Sequence, residues 1–86
     1  SINDASLASI SLYPNPATNE ITLSIGNTND SSYYSLYNTF GQLLEQGVVS
    51  QNKEVISVSG YTTGIYFIVV KNTVTSIEST LRFIKQ

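Results

Sequence analysis

In residues 20–25, EITLSI, the apolar Ile21, Leu23 and Ile25 alternate with Glu20, Thr22 and Ser24. A two-residue period puts one set on each face of an extended strand, so a chain built from such runs is driven toward half-buried sheet. The period returns in residues 33–38, with Tyr34 and Leu36 opposite Tyr33 and Tyr37, and in residues 78–85, with Leu81 and Phe83 opposite Thr80 and Arg82. Residues 10–13, 43–49 and 54–58 supply further short runs, and residues 65–70, IYFIVV, are apolar on both faces. No window places apolar residues at i, i+3, i+4 and i+7 over three turns, so no helix is expected. The runs are separated by turn chemistry: GNTND at 26–30, FGQ at 40–42, SQNK at 50–53 and SGYTTG at 59–64. The pattern predicts an all-β antiparallel sandwich of about seven short strands, with residues 40–42 closing a hairpin.

Eighty-six residues make one domain with one small core, and without cysteine no disulfide supplements that core. Residues 1–9 have no sustained period and read as a linker from a preceding domain, leaving 10–86 as the folded unit. Lys53, Lys71, Arg82 and Lys85 are scattered and outnumbered by six acids, for a net charge of -2, so there is no basic footprint for nucleic acid. No apolar run approaches the roughly 20 residues that span a bilayer as a helix.

The chain has neither histidine nor cysteine, and so lacks the usual neutral-pH base, the thiolate nucleophile and the soft metal ligands. Asp4, Glu20, Asp30, Glu45, Glu54 and Glu78 are spread along the chain with no spacing that suggests a two-carboxylate site. No enzymatic activity, cofactor or metal is expected. Asn27, Asn29 and Asp30 lack the closing bidentate Glu of a calcium loop and read as a surface turn, and Asn29-Asp30-Ser31 matches the glycosylation triplet. Tyr33, Tyr37, Tyr61 and Tyr66 suit either cross-strand packing or a platform for sugar stacking. Residues 65–70 are the more informative feature. In a two-layer sandwich one face of each strand should meet water, so apolar side chains on both faces mean that the outer set is covered by loops or docks a partner. Ile65, Phe67 and Val69, with Tyr33 and Tyr37, are the candidate docking face.

The stretch LYPNPATNEITL carries two prolines around one asparagine. Pro14 and Pro16 remove two backbone donors and fix φ, which ends the first strand and stiffens the crossing to the second. Together with YSLYNTFGQLL, TTGIYFIVVK and LRFIKQ, in that order, this stretch resembles the C-terminal sorting domains, type A, of type IX secretion cargo in Bacteroidetes. The resemblance runs from about Leu12 to Lys85. It implies an immunoglobulin-like sandwich and an address label that sends an attached N-terminal cargo through the outer-membrane translocon. The route it implies is the periplasm in transit and then the cell surface or the medium. Its implied partners are the translocon, an outer-membrane shuttle protein and a sortase-like cysteine peptidase that removes the domain. By resemblance the signal residues are Pro14, Asn15, Pro16, Gly41, Gly64, Tyr66 and Lys85. Asn38 stands where family members often carry an acid. Two residue-level readings stay beside this one: Gly41 and Gly64 supply positive φ at turns, and Lys85 is a solvated end charge. Strands 10–13 and 78–85 are the candidate edges for recognition by strand addition. The rival function is a carbohydrate-binding or adhesive module.

Overall fold

The computed structural model describes residues 10–26, 30–49 and 52–86. Seven strands follow one another: β1 (Ile10–Tyr13), β2 (Glu20–Ile25), β3 (Ser32–Asn38), β4 (Leu43–Val49), β5 (Lys53–Ser57), β6 (Gly64–Asn72) and β7 (Glu78–Lys85). They form two antiparallel sheets, ordered β1-β2-β5 and β4-β3-β6-β7, packed as an immunoglobulin-like sandwich. The sequence pattern located every described strand, with the two-sided apolar run marking β6. β6 runs further than its apolar run, because Lys71 and Asn72 continue the ladder opposite Tyr33 and Ser32.

The core takes one face of the strands, while Leu43, Leu44 and Val48 of β4, Val55 of β5, Ile65 of β6 and Ile84 of β7 stay exposed. Ile21, Leu23, Ile25 and Ile56 of one sheet, with Val58 just beyond it, meet Tyr34, Leu36, Ile68, Val70 and Phe83 of the other. On β6 the inward set is Tyr66, Ile68 and Val70. On β7 it is Phe83, with Leu81 packed against the core. The β1–β2 crossing adds Ala17, which is fully buried.

The up-and-down course sorts the connections into two poles. The β1–β2, β3–β4 and β5–β6 connections and the end of β7 lie at one pole, tied together by contacts such as Val58 N to Asn19 O at 2.9 Å. The β2–β3, β4–β5 and β6–β7 connections and the start of β1 lie at the other. There Ile25 N donates to Asn52 O at 2.8 Å and Thr73 N to Ser31 O at 3.0 Å.

Candidate recognition surface

The two prolines do more than end β1. Both the Tyr13-Pro14 and the Asn15-Pro16 peptide bonds are cis, and the crossing lies along the outer edge of β7. Asn15 Nδ2 donates to Arg82 O at 3.2 Å, while Asn15 Oδ1 accepts from Ile84 N at 3.1 Å. The carboxamide therefore takes the place of a strand's own peptide group. Ala17 continues the pairing as a parallel bridge: its N donates to Ile84 O at 2.8 Å, and its O accepts from Gln86 N at 2.8 Å. Three outward backbone groups of the last strand, and the amide of Gln86 just past it, are thus already satisfied. This corrects the expectation that all of 78–85 is an open edge, since only its first half lacks a neighbour among the described residues. The first and last sequence elements of the family resemblance are in direct contact.

The middle and late elements meet at the same pole. In the β3–β4 turn, Asn38 Oδ1 accepts from Phe40 N at 2.9 Å and Gln42 N at 3.1 Å, and Asn38 Nδ2 donates to Gln42 Oε1 at 2.7 Å. Asn38 N donates to Gln42 O at 3.2 Å, and Gly41 N to Asn38 O at 3.0 Å. An acid at position 38 would keep the first pair and lose the amide donor. Gly41 has φ of 79° and Gly64 of 155°, both disfavoured for residues bearing a Cβ. Tyr66 is 6% exposed. Its ring stacks between Tyr61, at 5.4 Å, and Phe83, at 5.5 Å, and its hydroxyl donates to Thr62 O at 2.7 Å, which fastens the 59–64 loop to the core. Between this loop and the Asn38 turn lies a cavity of about 330 Å³ lined by Phe40, Leu44, Gly60, Tyr61, Thr63 and Ile65 among others. Lys85 is 8% exposed and donates from Nζ to Gln86 O at 2.8 Å, so it is not a solvated end charge.

The candidate docking residues share one surface. Tyr33, Tyr37, Ile65, Phe67 and Val69 lie on the outer face of the four-stranded sheet, with Tyr37 opposite Phe67 and Tyr33 opposite Lys71. Tyr33 is 54% exposed, while Phe67 and Val69 are half-buried. A trough of about 510 Å³ crosses this face, lined by Tyr33, Ser35, Tyr37, Gln46, Val48 and Val69 among others. The four tyrosines do not form one platform: Tyr33 and Tyr37 face outward, whereas Tyr61 and Tyr66 stack at the motif pole.

Sequence reasoning missed Glu45. It sits on β4 with Oε1 accepting from Tyr61 at 2.7 Å and Oε2 from Tyr34 at 3.3 Å. Burial first, then the charge of Glu45, pushes the Tyr34 phenol up to about 12. Burial and the Glu45 hydrogen bond push Tyr61 up as well. The tyrosine ring of residue 34 lies over Gly47, which faces it across the strand pair. A glycine inside an otherwise regular strand was the available signal for such a close approach.

Among the described residues no group of three or more His, Cys, Asp or Glu could hold a metal, and no helix is long and apolar enough to cross a membrane. The molecule is an all-β module whose distinctive segments gather at one pole. Residues 11–86 match the model of the secretion system C-terminal sorting domain, and the chain belongs to that family, a family of sorting signals rather than enzymes. Fifty-eight residues are 40% identical to beta-agarase A of Zobellia galactanivorans, a match that takes in 66% of this chain and 11% of the agarase. The fold is similar to part of PorZ, an essential bacterial surface component of the type-IX secretion system of Porphyromonas gingivalis. That similarity has a TM-score of 0.72 at 20% identity, over 91% of this chain and 11% of PorZ. The chain thus spans about a ninth of each protein it matches.

Proposed function

We propose that this chain sends an attached N-terminal cargo across the outer membrane through the type IX secretion system, and is afterwards removed by a sortase-like cysteine peptidase at the surface. The single observation that carries the reading is the family match over residues 11–86. The contact of the first sequence element with the last supports it further, since a signal read as a folded surface needs its parts in one place. The cargo passes through the periplasm and ends at the cell surface or in the medium. An outer-membrane shuttle protein and the translocon are its partners on the way. The agarase match favours a secreted polysaccharide-degrading cargo. Removal requires a cut that spares the folded unit, and residues 1–9 are the proposed linker for it, although they lie outside the described residues.

The test is a reporter carrying a signal peptide at its N-terminus and residues 1–86 at its C-terminus, expressed in a type IX-competent bacterium and in a translocon-deficient sister strain. Reporter in the medium or on the surface of the first strain alone is the expected result. Periplasmic retention in both strains, together with glycan binding by the purified chain, would establish the carbohydrate-binding alternative instead. N-terminal and C-terminal sequencing of released reporter should place the cut before Ile10, and a cut inside the strands would refute the linker assignment.

A further inference from the structure

The pole that gathers the sequence elements has an unusual surface. Its three connections, residues 14–19, 39–42 and 58–64, contain no Asp, Glu, Lys or Arg, in a chain that has 10 such residues. Phe40 stands at its tip at 87% exposure, the highest among the exposed large apolar residues described. A water-exposed phenylalanine on a loose loop would be unremarkable. This one is held by five hydrogen bonds through Asn38, Gly41 and Gln42, with Gly41 in the left-handed region. A turn so braced fixes the backbone from which the aromatic ring projects, so less backbone freedom remains to be lost on binding than from a loose loop. Beside it opens the cavity of about 330 Å³, whose lining includes Leu44, Tyr61, Thr62, Thr63 and Ile65.

We infer that Phe40 and this adjoining cavity form the docking surface through which a protein partner reads the folded chain. The partner presents an uncharged apolar segment: one pocket to receive Phe40, and one side chain of its own to enter the cavity. This deepens the sorting reading and rests on it. Charge selects the class of partner, because loops without cations offer nothing to an anionic lipid surface, and the nearby Lys85 is buried.

The test compares five variants of the same secreted reporter. Phe40→Ser removes the anchor; Gly60→Glu places a charge in the cavity, where an added Cβ meets nothing within 4 Å. Val55→Ser and Val74→Ser alter exposed apolar residues that line neither the cavity nor the outer-face trough. Each purified chain is first melted to confirm an unchanged midpoint. Phe40→Ser and Gly60→Glu should each lower export about tenfold or more, the effect of losing an anchor, while Phe40→Trp retains it and the Val55 and Val74 variants export normally. Normal export of both pole variants, with export abolished by deleting the whole chain, overturns the inference and leaves the sorting reading standing. Export that survives the deletion overturns both. A Phe40-dependent dimer of the purified chain in sedimentation, or Phe40-dependent binding to phosphatidylglycerol vesicles, would assign the surface to a second copy or to lipid and likewise overturn it.

Discussion

At Gly47 an added Cβ would sit 2.6 Å from Tyr34 Cε2, whereas at Gly60 it would meet nothing within 4 Å. Gly47→Ala should therefore lower stability by about 1–3 kcal/mol as the ring is forced off β4, while Gly60→Ala should stay within about 0.5 kcal/mol, both read by urea denaturation. Asn15 has a comparable, separately measurable role. Asn15→Ala removes both hydrogen bonds to β7 and should cost about 1–2 kcal/mol, with faster amide exchange at Ile84 than at Ile68. The tyrosines that share Glu45 give a pH signature. Tyrosine ionises near pH 10 in an unfolded chain, and the fold raises Tyr34 to about 12 and lifts Tyr61 too. The fold thus favours the protonated phenols. Their contribution is whole below about pH 10 and is lost as pH climbs toward 12, so stability should fall across that window and fall less steeply in Tyr34→Phe. The roles of Asn15 and Glu45 could not be read from spacing. Asn15 meets a strand some 67 to 69 residues away, and Glu45 is brought to Tyr61 by packing between elements distant in sequence.

The strands themselves were legible because a half-buried sheet imposes its period on the sequence directly, and Glu20–Ile25 announces its inner face residue by residue. Which edges remain open was not legible. β7 looks like a free edge from its sequence, yet the Asn15 carboxamide and Ala17 backbone occupy its last half. Natural sheets need such guards against pairing with another chain, and the guard here is a segment with only three backbone donors among residues 14–18. The contact also alters how the end of the chain should be probed. Deleting residues 81–86 removes Phe83, which is fully buried, and strips β6 of half its partner strand. That truncation should fail to fold, with loss of near-ultraviolet dichroism and of dispersed amide signals, so lost export would not by itself identify a recognised terminus. Ile84→Ser, on the exposed face of β7, should fold and separates the two effects.

At the scale of the whole molecule, the candidate site was half visible in the sequence. The four resembling stretches name Pro14, Asn15, Pro16, Gly41, Gly64, Tyr66 and Lys85, but only the alternation of seven antiparallel strands sends their connections to the same pole. Phe40 went unnoticed because an aromatic in a turn has no periodic context that would mark it as exposed. The arrangement also has a mechanical consequence. In the proposed export, a load attached before Ile10 would hang from one pole and a receptor gripping Phe40 would hold the other, so traction would run lengthwise along the strands. β1 is paired to β2 from Ile10 opposite Ile25 to Tyr13 opposite Thr22, and a lengthwise pull strains those rungs together in shear instead of peeling them singly. Resistance to such a pull is a matter of unfolding rate rather than of equilibrium stability. Under the proposed export, a slow unfolding rate would let a small thiol-free domain hauled by one end keep its shape during passage even with a modest thermodynamic margin.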